Sequence, residues 1–298
     1  MTTTTDLETP ELGAEVASAL RDITSRSLSG RSIVDYVEGE LPLSWREIVD
    51  GGWADIGVPE EFDGPGASLR DLVEVAKAWS EAAVPLPLLP TLLAKRWSAA
   101  ARETTAPVVL AVPTPALPGG RYLAPFGAIP DAQVALGLGA GEDRLEAPRD
   151  PQADDYAPTL RLAELSAGTT FGAEAAREYA VVCAAEGIGC ATNLLNVAVA
   201  YVKDRVQFGE PIGRKQAVKH RLANALVQLE HGESAVLWAC AEPEAAPRAT
   251  AYSLEAAISV AQEAIQVHGG LGFTWEMGLH LQLRHMVTLR ELVRGVLG

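Results

Sequence analysis

The residues best equipped to hold a phosphate-bearing ligand fall in two short segments. The first reads Arg205-Val206-Gln207-Phe208-Gly209-Glu210-Pro211-Ile212-Gly213-Arg214-Lys215-Gln216. Arginine presents a planar fork of donors that suits a diphosphate. Gly209 and Pro211 read as a helix stop, the glycine as a left-handed cap and the proline as a residue that cannot continue. That puts Arg205 and Gln207 on the last helical turn. The second segment reads Gln266-Val267-His268-Gly269-Gly270-Leu271-Gly272-Phe273-Thr274-Trp275-Glu276. Gly269 and Gly270 have no Cβ and let backbone approach a ligand closely. Gln266, one turn earlier, has the donor and acceptor to bond a ribose or an adenine. Taken singly, each segment also reads as a plain helix stop or turn.

Other reactive side chains carry weaker signals. His268, His280 and His285 do not have H-E-x-x-H spacing, and no E-x-x-H pair supports a di-iron bundle, so no metal site is read. Glu276 and His280 stand four apart and read as a structural pair on one helix face. Glu276 is also a candidate polar contact near a substrate pocket. His268 is a candidate nucleotide contact or a capping histidine at a helix C-terminus. Cys183 and Cys190 lie beside Gly187 and Gly189, which points to close helix packing rather than thiol chemistry. Trp45, Trp53, Trp79, Trp97, Trp238 and Trp275 read as core or interface anchors.

The elements that must position these residues divide the chain in three. Residues 1–104 read as helical, with a stripe of Leu12, Val16, Leu20 and Ile23 at three- and four-residue spacing. Ser44 is a helix N-cap, and Ser68 or Ala67 opens a helix carrying Leu72, Val73, Val75, Ala76 and Trp79. Residues 105–168 hold short strand-like runs at 108–112, 121–125, 133–137 and 159–162, separated by Pro, Gly and Asp clusters. Residues 169–298 carry four helices, near 173–207, 215–240, 249–267 and 280–294, an antiparallel bundle. The fold class is mostly α with a reduced β segment: an N-terminal helical domain, a small middle β domain and a C-terminal four-helix bundle.

Composition removes several function classes. The 298 residues include 24 basic and 39 acidic side chains, a net charge of −15, which argues against nucleic acid and anionic membrane as partners. Aromatic residues are 6%, too few for a base-stacking platform. Three cysteines suit a reduced compartment better than a disulfide framework. The N-terminus shows no signal peptide, and no apolar run reaches the ~18 residues of a membrane span, so the chain reads as soluble and cytoplasmic. The run Thr2–Thr5 reads as a disordered tail.

Together the two C-terminal segments resemble the paired motifs of the acyl-CoA dehydrogenase family, R-x-x-F-G-x-x-I-x-x-x-Q and Q-x-x-G-G-x-G-[FY]. Gly52-Trp53, Val58-Pro59-Glu60-Glu61 and Gly64-Pro65-Gly66 resemble that family's early turn. The resemblance covers both helical regions in order. It implies that Arg205, Gln207, Phe208, Gln266, Gly269 and Gly270 contact the ADP half of FAD across a subunit interface.

The same resemblance exposes what is missing. Family chemistry removes an α-proton from an acyl-CoA with a carboxylate base while a β-hydride passes to flavin. Counting from the Gly-Gly turn puts that base at Val293, with Glu291 two residues away. The alternative position on the first bundle helix falls at Tyr179, next to Glu178. Neither carries a matched carboxylate, and Glu178 and Glu291 read as solvated helix residues. The middle region lacks the T-E-x-x-x-G-S-D and W-[IV]-[ST]-N strands that embrace the flavin ring. The chain therefore resembles the short subunit of heteromeric α2β2 acyl-CoA dehydrogenases of actinobacterial steroid catabolism. That implies a homologous full-length partner supplying the base, an FAD cofactor at the mixed interface and a bulky acyl-CoA substrate. No catalytic residue is assigned to this chain. Two other readings stay open: a cofactor-free scaffold, and a self-sufficient homomer with a displaced base.

Overall fold

The structure is a computed structural model and describes residues 11–114 and 117–298. The threonine run lies outside the described residues. Six helices come first: α1 (Glu11–Ser27), α2 (Ile33–Glu38), α3 (Trp45–Asp50), α4 (Leu69–Glu81), α5 (Leu88–Trp97) and α6 (Ala99–Arg102). Serines open four of them, Ser98 capping the short α6 by accepting from the Ala101 N–H. Ser32, Ser44 and Ser68 each accept from the backbone three residues on, and Asp35, Glu47 and Asp71 bond back to the serine N–H. These reciprocal boxes satisfy helix donors that would otherwise lack partners. Asp71 does more, since its other oxygen accepts from the Gly13 N–H at 2.6 Å and ties α1 to α4.

Nine short strands follow: β1 (Val108–Val109), β2 (Val112–Pro113), β3 (Tyr122–Ala124), β4 (Gln133–Ala135), β5 (Gly137–Leu138), β6 (Leu145–Glu146), β7 (Gln152–Asp154), β8 (Leu162–Leu165) and β9 (Thr170–Phe171). They form a four-stranded antiparallel sheet in the order β2-β3-β8-β7, a three-stranded sheet β1-β4-β6 and a parallel pair β5-β9. The strand expected at 159–162 begins only at Leu162, because Pro158–Leu160 makes a 3-10 turn that ends in a left-handed Arg161.

The chain then enters the bundle: α7 (Ala173–Asp204), a hairpin β10 (Val206–Gln207) and β11 (Glu210–Pro211), α8 (Gln216–Ala241), α9 (Ala246–His268) and α10 (Leu279–Leu297). By length and composition α7 is the one described helix apolar enough to cross a membrane, yet 78% of its most apolar 18-residue window is buried inside the protein. It is the central post of the core. Glycines let its neighbours come close: a Cβ at Gly189 would sit 2.2 Å from the Lys77 carbonyl on α4, and one at Gly187 would sit 2.8 Å from Leu254 on α9. Cys183 and Cys190 are both buried on α7, and Cys190 Sγ lies 3.4 Å from the Ser80 carbonyl on α4.

Candidate functional site

The first motif does not end a helix in the way its Gly and Pro suggest. Helix α7 stops at Asp204, and Arg205 is already extended, its N–H donating to the Tyr201 carbonyl. The chain then reverses through the β10–β11 hairpin, with Val206 opposite Pro211 and Gln207 opposite Glu210. Phe208 and Gly209 form the two-residue turn, with φ of 56° and 82°. Two successive positive φ values are what a tight hairpin with the right-handed strand twist demands. Gly209 is thus a turn residue rather than a helix cap, and Gln207 sits in a strand. Phe208 takes a conformation that costs a non-glycine residue about 1 kcal/mol or more, and its ring is 92% exposed.

The second motif follows α9, which ends at His268. Gly269 has φ 63° and ψ −141°, a region essentially reserved for glycine, and it starts a 3-10 turn to Phe273. An added Cβ at Gly269 or Gly270 would meet nothing within 4 Å, so this backbone is open to whatever approaches it. His268 is buried, and its Nδ1–H donates to the Ala264 carbonyl at 2.7 Å. Its Nε2 is also buried and has no partner.

One contact joins the motifs at their roots. Tyr201, one turn before Arg205, stacks on His268 with ring centroids 4.2 Å apart and planes 24° from parallel. Sequence reasoning missed Tyr201; its only signal was its place one helical turn before the arginine. The stack brings the C-terminal ends of α7 and α9 together. Arg205, Gln207, Phe208, Gln266, Gly269 and Gly270 are all exposed there. The side chains of Arg205, Gln207 and Gln266 take no hydrogen-bond or ion-pair partner among the described residues. Exposed Val206, Leu271 and Phe273 lie between them. A surface with free forked donors, free amides, open backbone and apolar flanks fits a nucleotide diphosphate covered by a second protein surface.

The interior is the opposite. Val293 and Tyr179 are each 4% exposed and packed in the core. Glu178 is buried, not solvated: Arg96 Nε donates to it at 2.8 Å and Trp97 Nε1 at 2.7 Å. Glu291, half-buried, is held by Arg290 and Arg294 at 3.1 and 2.8 Å. The space beside Tyr179, Cys183, Glu186 and Leu289 is about 20 Å³, room for a water but not for an acyl chain. Burial pushes the Tyr179 phenol and the Cys183 thiol well above their ordinary ranges. His285 closes the same region, with Nε2 2.8 Å from Glu186 on α7 and Nδ1 2.9 Å from the Thr159 hydroxyl. That three-way link was not foreseen, since its members are 99 and 126 residues apart.

Glu276 and His280 do not share a helix face. Gly278 is left-handed and α10 starts after it, leaving Glu276 exposed in the preceding turn. His280 packs on Trp275 with centroids 5.1 Å apart. Burial, with Arg284 nearby, holds its imidazole below the usual value.

Comparison with known proteins agrees with this geometry. Residues 167–292, which span the bundle and both motifs, match the family model described as the acyl-CoA dehydrogenase C-terminal domain. The acyl-CoA dehydrogenase IpdE2 of Mycolicibacterium smegmatis is 34% identical over 298 aligned positions, covering 93% of this chain and 92% of that one. Two solved structures share the fold at low identity. The ChsE4-ChsE5 complex from Mycobacterium tuberculosis superimposes with a TM-score of 0.76 at 18% identity, covering 97% of this chain and 95% of the other. The steroid ACAD Tcur3481-Tcur3483 gives 0.74 at 19%, covering 94% and 92%. With both motifs in place and a relative aligned from end to end, the chain belongs to the acyl-CoA dehydrogenase family.

Proposed function

We propose that this chain is the cofactor-completing, base-lacking subunit of a heteromeric acyl-CoA dehydrogenase, acting in the cytoplasm on a bulky, steroid-derived acyl-CoA. One contrast carries the reading: unpartnered ligand-holding groups cluster on an exposed end, while both base positions lie in a sealed core without a free carboxylate. Arg205 would take the diphosphate of FAD as a forked donor, and Gln207 and Gln266 would bond its ribose or adenine. Gly269 and Gly270 would admit it to backbone contact, and Phe208 would cover it while touching the partner. FAD, when bound, supplies the hydride acceptor for α,β-dehydrogenation. The base and the site for the flavin ring belong, on this reading, to a homologous full-length partner. Two fold relatives named as paired proteins, one of them a steroid ACAD, support the partner and the substrate class.

Glu178 and Glu291 are each engaged by arginine, which disfavours a self-sufficient homomer. The test is to purify the chain alone and with its partner and record the flavin spectrum. Flavin and dehydrogenase activity are expected only in the pair. Stoichiometric flavin with turnover in the lone chain would overturn the division of labour. Full flavin occupancy in a pair carrying both Arg205→Ala and Gln266→Ala would favour the cofactor-free scaffold.

A further inference from the structure

A cleft of about 470 Å³ opens between α1, α2, α4, α7 and the start of α10, and none of the residues assigned to FAD lines it. Its volume falls within the ~300–1,000 Å³ of small-molecule sites. A close approach of two helices shapes it. Gly278 is left-handed at φ 64°, and a Cβ there would overlap the Ile33 side chain. Glycine thus lets α2 close over the first turn of α10. Leu28, Ile33, Val197 and Met277 give the cleft apolar walls.

The end formed by α10 collects donors. Gly278 is the N-cap and has no side chain to cap with, and the Leu279 and His280 N–H groups take no partner among the described residues. They are the positive end of a 19-residue helix. Gln282, one turn on, is 3% exposed and lines the cleft. Its Oε1 accepts from Asn193 Nδ2 at 3.1 Å, while its Nε2 has no partner among the described residues. A buried amide donor left unpaired is costly, so this one calls for an acceptor.

The other polar groups here are already used. Thr24 Oγ1 donates to the Leu20 carbonyl, and the Tyr36 hydroxyl donates to that of Ala82. Arg21 holds both oxygens of Glu81. Asp35, the carboxylate near Arg31, is turned to the Ser32 N–H and hydroxyl. Arg31 remains exposed on the rim; it donates to the Glu40 carbonyl and forms no ion pair among the described residues. A free cation, a free amide N–H and a helix N-terminus favour an anion, and the walls favour a carbon chain.

We propose that this cleft binds a medium-chain organic carboxylate, with its head at the Leu279 N–H and the Gln282 amide and its chain along Leu28, Ile33, Val197 and Met277. Arg31 supplies the attracting charge at the mouth. No residue of the flavin reading takes part, so the two are tested independently.

The test is isothermal titration of octanoate into the full chain without partner or flavin, so that no acyl site of a partner can take the probe. One molecule per chain is expected, with a dissociation constant below about 1 mM. Octanamide has the same shape without the charge and should bind about tenfold more weakly. Gln282→Met keeps the volume, removes the donor and should weaken octanoate about tenfold. Arg31→Gln should weaken it about threefold at low salt, a difference that added salt erases. Val197→Phe fills the cleft and should abolish binding. Arg31 is exposed and Val197 half-buried, so circular dichroism should show an intact fold in both variants. No binding of octanoate, binding of octanol or inorganic phosphate as tight as that of octanoate, or an affinity indifferent to Arg31→Gln and Val197→Phe would overturn the proposal. So would hydrogen-exchange protection by octanoate that spares α2 and the first turn of α10.

Discussion

Gly270 separates two tasks that a residue on this surface can have. Its φ is ordinary, and an added Cβ meets nothing in the chain. Gly270→Ala should therefore leave the melting temperature of the lone chain unchanged. In the assembled pair it should weaken FAD binding, because the methyl occupies the open approach. Calorimetric melting and flavin titration check the two halves. Arg205→Lys keeps the charge and loses the fork, so flavin affinity should fall by roughly tenfold, the scale of one charge-assisted hydrogen bond. His285 is the converse case, a residue with no access to ligand. His285→Leu leaves Glu186 buried beside an apolar group and should cost about 3 kcal/mol in denaturant unfolding. Flavin occupancy per folded pair should not change.

At the level of elements, the helices with periodic apolar faces and serine caps were legible from sequence. Ser44 and Ser68 cap where expected because an S-x-x-[DE] box satisfies helix donors locally, whatever surrounds it. Helix α2 carries the same box, Ser32 with Asp35, but spans six residues, too few to show a period. The β10–β11 hairpin was misread because Phe208 gives no turn signal; only its pairing with Gly209 at positive φ reveals the reversal. The burial of Glu178 was invisible for a different reason, since Arg96 and Trp97 reach it from more than 80 residues away.

The caps also set an acid limit. The Ser32 backbone N–H, then its hydroxyl, hold Asp35 below the usual value of 3.8, and Ser44 does the same to Glu47 against 4.5. A carboxylate with a lowered folded value adds stability above its unfolded value and loses it as pH falls through the folded one. Melting temperature should thus decline as pH drops below about 4.5. Ser44→Ala should flatten that decline as well as lower the starting point. Scans at stepped pH check both.

For the whole molecule, the chief expectation concerns linkage. A ligand stabilises what it binds by about 2.7 kcal/mol at one hundred times its dissociation constant. Saturating FAD should leave the melting curve of the lone chain in place and should raise that of the pair. Composition alone argued against nucleic acid as a partner, through the −15 charge, but could not show where the molecule is open. That came from the contrast between an exposed end, with Phe208 at 92%, and a seam closed to 20 Å³ beside Tyr179.

The sealed seam bears on how this chain can change over time. A pocket that turns over substrate must keep strain, mobility and unpaired polar groups, and enzymes give up stability for them. Leu289 and Val293 answer only to packing, so volume-matched apolar residues at those positions should be tolerated. In a randomised library selected for activity of the pair, diversity should survive at these two sites and collapse at Arg205 and Gly269. The chain would then be the partner free to accumulate stability, and the better starting point for making the assembly heat-resistant.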